Sequence, residues 1–147
     1  MCGIFGYTHL KNKDFNFHQF LKHRGPDYEK KISYKNFTLG HNLLAIRDEI
    51  KNSAQPVETK DNRYIFCFNG QIYNTDFLKK KFSIQNNEIL DTKIVLIIIE
   101  KIGLDFIKYI KGMFSIALLD KKINKLFLFR DQSGQKPLYY NINNNAF

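Results

Sequence analysis

The sequence predicts an α+β domain in which two sheets pack together and helices cover the outside. Strand-like runs, aromatic and β-branched, fall in two groups, one early in the chain and one late. Segments with helical spacing and capping residues lie between them. A length of 147 residues and a hydrophobic content of 44% suit a single domain with its own core.

Taken in order, Cys2 to Tyr7 reads as a short buried strand, with Gly3 and Gly6 allowing close backbone approach. Residues 14–22 place Phe17, Phe20 and Leu21 at helical spacing behind Asp14, a suitable N-cap. His23-Arg24-Gly25-Pro26-Asp27 is a turn, since Gly-Pro breaks a helix. Ile32 to Tyr34 and Phe37 to Ile46 form a predicted hairpin around Lys35-Asn36, followed by a polar loop from Asp48 to Ser53. Gln55-Pro56-Val57 starts the next extended piece.

Arg63 to Phe68 is the clearest strand, bounded by Asp61-Asn62 and by Asn69-Gly70. Asn74 or Thr75 caps a helix through Lys81. Asp91 or Thr92 caps an apolar stretch to Lys101, which Gly103 ends. Periodicity leaves Ile94 to Ile99 open between strand and buried helix; length and the caps favour helix. A second short helix runs from Leu104 to Lys111. Strands follow at Met113 to Leu119, Lys125 to Phe129 and Leu138 to Ile142, and the chain reads as a domain cut off at Phe147.

Composition narrows the function classes. No apolar run approaches the roughly 20 residues that span a bilayer, and no signal-peptide layout is seen, so a cytoplasmic protein is expected. Two cysteines without a signal suit a reducing compartment rather than a disulfide framework. They form no CxxC pair, and the four histidines show no ligand spacing, so no metal is expected. The net charge of +9 comes mostly from scattered lysines, with Lys79-Lys80-Lys81 the one run. Nucleic-acid readers cluster their basic residues and use arginine for bidentate contacts. The charge is therefore read as a solvated surface, without a nucleic-acid partner.

The chemistry starts at Met1-Cys2. Methionine is normally removed before a small second residue, which leaves Cys2 with a thiol and a free α-amine. An α-amine titrates at roughly 7.7–8.0 and a thiol at roughly 8.5, so one residue holds both a nucleophile and its general base. A cysteine at a strand start is the plain alternative on this feature alone.

Further stretches then weigh in: Met-Cys-Gly-Ile-Phe-Gly at the start, His-Arg-Gly-Pro-Asp at 23–27 and Phe-Asn-Gly-Gln-Ile-Tyr-Asn at 68–74. Gly-Met-Phe at 112–114 and Arg-Asp-x-x-Gly-x-Lys-Pro-Leu-Tyr-Tyr at 130–140 complete the set. In order and spacing they resemble the glutaminase domain of the class II glutamine amidotransferases, nearest the asparagine synthetase branch. The resemblance implies a four-layer α/β/β/α amino-terminal-nucleophile hydrolase fold over residues 2–147. It also implies that Cys2 attacks the side-chain amide of L-glutamine, with Asn69 and Gly70 as oxyanion donors. Without it, Asn69-Gly70 reads as a type I′ hairpin turn.

By the same resemblance Asp91 holds the α-ammonium of glutamine, although a helix cap is its plain alternative. Arg24 braces the loop beside the nucleophile, or is an exposed turn arginine. Arg130 and Asp131 hold the late strands together. Two departures touch the substrate side. The family's carboxylate-gripping arginine aligns here with Leu44, and Arg47 replaces it only if the chain bulges or turns at Ile46. Gln71 stands where glutamate is common. A synthetase domain, absent from this chain, would carry ATP and Mg and use the ammonia; this domain itself needs no cofactor. A weakened glutaminase-like docking module is the second reading.

Overall fold

The computed structural model describes residues 2–8, 16–46 and 50–142. Two antiparallel sheets form its centre. The first has the order β1-β3-β2, from β1 (Gly3–Thr8), β2 (Tyr28–Tyr34) and β3 (Phe37–Leu43). The second has the order β4-β5-β6-β7, from β4 (Val57–Glu58), β5 (Tyr64–Ile72), β6 (Gly112–Asp120) and β7 (Lys125–Arg130). Helices α1 (Phe17–Leu21), α2 (Ile50–Ser53), α3 (Thr75–Phe82) and α4 (Asp91–Ile102) complete the described elements, with a 3₁₀ helix at Gly103–Lys108.

Side-chain alternation sorts these elements into layers, because successive residues of a strand face opposite sides. On β5, Tyr64, Phe66, Phe68 and Ile72 join Leu78, Ile94, Val95, Ile98 and Ile99 of α3 and α4 in one core. The intervening Ile65 and Cys67 pack with Leu39, Ala117, Leu119 and Ile4 in a second core between the sheets. The opposite face of the first sheet carries α1: Phe5 stacks on Phe17 at 5.5 Å and meets the His18 ring edge-on at 4.9 Å. The order α1, first sheet, second sheet, then α3 and α4 is the predicted four-layer α+β arrangement.

The structure departs from the sequence reading in several places. β5 does not stop at Phe68; it runs through Asn69-Gly70 to Ile72, paired with β6 all the way. Partners across the sheet outweigh the local turn preference of Asn-Gly. Leu138 to Ile142 joins no sheet among the described residues. Part of the 48–53 loop is helical, as α2, and the second short helix is 3₁₀ rather than α. β2 begins at Tyr28, earlier than its hydrophobicity indicated, because Tyr28 to Lys31 pair with β3 while β2 lies at a sheet edge. The N-cap of α4 is Leu90, with Asp91 as the first helical residue. Asp14 lies outside the described residues.

Candidate active site

Cys2 precedes β1 and is held from two directions. The Leu44 N–H donates to its Sγ at 3.5 Å, and the thiol lies 3.8 Å from the Leu44 carbonyl oxygen. Arg24 Nε donates to the Cys2 carbonyl oxygen at 3.3 Å. Arg24 reaches this point because the chain turns tightly after α1: a Cβ on Gly25 would stand 2.2 Å from the Asn42 oxygen. Asn42 in turn ties α1 to β3, its Oδ1 2.9 Å from His18 Nδ1. The turn at 23–27 is thus packed against the strand that leads to Leu44.

Cys2 opens on a cavity of about 310 Å³. Asn69, Gly70 and Gln71 of β5, Asp91 of α4, and Leu44 and Ile46 after β3 line it as well. Seven of the residues singled out from sequence therefore converge on one space. Arg24 is not in that lining; its contact is with the backbone of Cys2. Arg47 lies outside the described residues. Leu43 and Leu44 both line the cavity, so neither residue after Gly40-His41-Asn42 brings a guanidinium to it.

Asn69 has odd-number parity with Ile65 and Cys67 along β5, which turns its amide away from the helices and toward the gap between the sheets. It is 9% exposed. Gly70 is fixed by its neighbour strand: a Cβ there would sit 2.1 Å from the Met113 carbonyl oxygen. Only glycine lets β6 approach so closely. Asp91 is tied to the same strand, its Oδ2 accepting the Ile72 N–H at 2.9 Å. A carboxylate in the first turn also complements the helix dipole of α4.

A match to the glutamine amidotransferase domain family covers residues 1–147. The chain belongs to that family. Among curated relatives, the protein provisionally named asparagine synthetase [glutamine-hydrolyzing] 2 of Methanocaldococcus jannaschii is 35% identical, over 100% of this chain and 33% of its own length. Asparagine synthetase [glutamine-hydrolyzing] 2 of Bacillus subtilis is 34% identical over 95% of this chain and 20% of its own. Asparagine synthetase B [glutamine-hydrolyzing] of Escherichia coli is 30% identical over 95% and 26%. This glutamine amidotransferase domain therefore spans about a third or less of the length of these relatives.

Two groups in the cavity wall of this amidotransferase domain escaped the sequence reading. Gln55 accepts the Phe68 N–H at 2.6 Å, and its Nε2 donates to the Phe68 carbonyl oxygen at 3.1 Å and to Thr92 Oγ1 at 3.3 Å. β4 begins at Val57, opposite Phe66, so the Gln55 amide takes the place of a strand partner further along β5. No local signal marks such a role. Lys136 lines the cavity and is 6% exposed. It falls inside the late Arg-Asp motif, where attention to a lysine between glycine and proline would have found it.

That motif is built around Asp131. Its Oδ2 accepts the N–H groups of Phe114 at 3.1 Å and Lys136 at 2.9 Å, and its Oδ1 accepts Gln135 N–H at 2.9 Å. Burial alone would raise the Asp131 carboxyl, but these N–H groups hold it below the ordinary carboxylate range. Arg130 Nε donates to the Lys136 carbonyl oxygen at 2.8 Å. Asp131 thus fastens the 131–137 turn to β6, and Arg130 fastens it to β7. No described helix is long and apolar enough to cross a membrane.

Proposed function

We propose that this domain hydrolyses L-glutamine to glutamate and ammonia through a thioester on Cys2. The observation that carries the reading is the convergence of Cys2, Asn69, Gly70 and Asp91 on one cavity in a chain of this family. Removal of Met1 frees the Cys2 α-amine, which takes the thiol proton. The sulfur attacks the side-chain amide carbon, and the tetrahedral oxygen is met by the Asn69 amide and the Gly70 N–H. Collapse breaks the C–N bond while the amine returns its proton to the departing ammonia. Water then cleaves the thioester, giving glutamate and the free thiol.

On the substrate side, Asp91 binds the α-ammonium group, and Gln71 adds an acceptor without a charge. Leu44 and Ile46 flank the aliphatic stem; the family's carboxylate arginine aligns with Leu44, and Arg47 replaces it only if the chain bulges or turns at Ile46. Arg24 acts by holding Cys2. The ammonia goes to an ATP-dependent amidation of the asparagine synthetase type, on a synthetase domain outside this chain that holds the ATP and Mg. The names and greater lengths of the relatives support this part. We place the protein in the cytoplasm, in keeping with its free Cys2 and Cys67 thiols.

The test is glutamate release by the Met1-processed protein, with Cys2→Ala as control. Release that persists in Cys2→Ala sinks the reading. A Met1-retaining preparation should be inactive, because its Cys2 nitrogen is an amide rather than an amine. The aliphatic Leu43 and Leu44 favour a second reading, a docking module that has lost glutamine turnover. Binding of a synthetase domain without any glutamate release is the outcome it requires.

A further inference from the structure

Just past the last pair of the β1–β3 ladder, Gly3 with Asn42, the chain leaving β3 meets the nucleophile itself. The Leu44 N–H donates to Cys2 Sγ at 3.5 Å, and the Leu44 carbonyl oxygen stands 3.8 Å from the same sulfur. We propose that the Leu44 N–H is a catalytic donor that stabilises negative charge on the Cys2 sulfur, and that Asp27 is the positioning residue that aims it. The inference rests on the glutaminase reading and deepens it.

The sulfur is charged at two points of that reaction. It is charged after its proton passes to the α-amine and before it bonds the amide carbon. It is charged again when water breaks the thioester and the sulfur departs. An N–H aimed at the sulfur favours the charged form over the neutral one, because a hydrogen bond to an ionised group is shorter and about twice as strong. The Leu44 carbonyl oxygen serves the neutral thiol as acceptor, so one residue offers a partner to either form.

β3 ends at Leu43, and the N–H groups beyond it need acceptors outside the ladder. Asp27 fixes where they point. Its N–H donates to the Leu43 carbonyl oxygen at 3.1 Å, and its Oδ2 accepts the Ala45 N–H at 2.8 Å. The residues on both sides of Leu44 are thus tied to one aspartate, which keeps the Leu44 peptide from turning off the sulfur. Asp27 does not line the cavity, so it acts through this segment alone. The same turn carries Arg24, which holds the Cys2 carbonyl oxygen. One short motif therefore positions both the backbone of the nucleophile and the donor to its sulfur.

The experiment measures two rates on Met1-processed protein: alkylation of Cys2 by iodoacetamide at pH 7, and glutamate release. Cys67 is fully buried, and Cys2→Ala gives the background. The unsubstituted protein is compared with Asp27→Ala, Asp27→Asn and a protein carrying L-leucic acid at position 44, whose ester oxygen replaces the N–H. The ester should slow alkylation about 3- to 10-fold, since the lost charge stabilisation is partly offset by greater nucleophilicity of the sulfur that remains charged. Its kcat should fall about 10- to 100-fold with KM little changed, the range for losing a hydrogen bond to a charged group. Asp27→Ala should lower both rates, and Asp27→Asn, which keeps an oxygen for the Ala45 N–H, should restore them. Asp27→Leu reads the same rates if the alanine variant does not fold. Unsubstituted rates in the ester protein overturn the role of the N–H. A loss that Asp27→Asn does not restore, or one confined to KM, overturns the role of Asp27. Absence of glutamate release from the unsubstituted protein overturns the glutaminase reading and this one with it, whereas a failure confined to the variants leaves that reading standing.

Discussion

The guanidinium of Arg24 and the carbonyl oxygen of Cys2 are joined by a 3.3 Å hydrogen bond across the turn that follows α1. Arg24 does not line the cavity, so it fixes where the nucleophile sits without touching what the cavity holds. Arg24→Met should therefore lower kcat about 10- to 100-fold, the scale of a misplaced reacting group, and leave KM nearly unchanged. Steady-state glutamate release separates the two constants. A change confined to KM would place Arg24 at the substrate instead.

Asn69 and Gly70 predict different failures although they are adjacent. Asn69→Ala removes a side-chain donor, so kcat should drop about a hundredfold or more while thermal unfolding shifts little. Gly70→Ala forces a methyl group against the Met113 carbonyl oxygen, 2.1 Å away, and backbone does not yield as a side chain can. Its cost should appear first in stability, at about 1–3 kcal/mol in denaturant melts. Equal melting profiles for the two variants would contradict the distinction.

Gln55 closes the backbone polar groups of Phe68 with a single side chain. Gln55→Leu leaves both the N–H and the carbonyl oxygen of a buried strand residue without that partner. The expected loss is about 2 kcal/mol or more, since each unsatisfied group costs about 1–3. Hydrogen exchange should quicken at the Phe68 amide in particular. Protection unchanged there would show that the strand is closed by other means.

His41 is 1% exposed between the sheets, and neither ring nitrogen has a hydrogen-bond partner among the described residues. Burial, then the charge of His18, push it down to about 4; Lys30 stands opposite it in the β2–β3 register. Above pH about 7.5 the ring is neutral in both folded and unfolded chains and has no effect on the balance. As pH falls toward 4 the unfolded chain takes up the proton first, so stability drops, by roughly 3 kcal/mol at most. Urea midpoints between pH 7 and 4.5 should fall less steeply for His41→Leu than for the unsubstituted protein. Parallel slopes would assign the acid sensitivity to other groups.

Much of the fold was legible because its signals are local. The turn at Lys35-Asn36, the β-branched and aromatic run in β5 and Gly103 at the end of α4 each follow from residues within a few positions. What failed depended on distant partners. Asn69-Gly70 has the composition of a hairpin turn, and only pairing with Met113 and Phe114 keeps it extended. Leu138 to Ile142 has strand composition but no described strand to pair with. Among the cavity-lining residues, Cys2, Asn69, Gly70 and Gln71 lie in the motifs, Asp91 was named by resemblance, and Leu44 and Ile46 were named where the sequence departs from the family's arginine. Gln55 was missed because its meaning lies in its contact with the distant Phe68, whereas Lys136 sat inside a motif whose lysine was passed over.

The alternation along β5 has a consequence for how this protein tolerates change. The same strand sends Phe66 and Phe68 into the helix-covered core and Cys67 and Asn69 toward the gap between the sheets. Inserting or deleting one residue before position 69 would exchange the two faces at a stroke. An amide would enter the oily layer under α4, and a phenyl ring would point at the cavity. Single substitutions here can be graded in their effects, but a frame change within the strand cannot. Length variation among proteins built on this plan is therefore expected in the loops between strands, not inside β5.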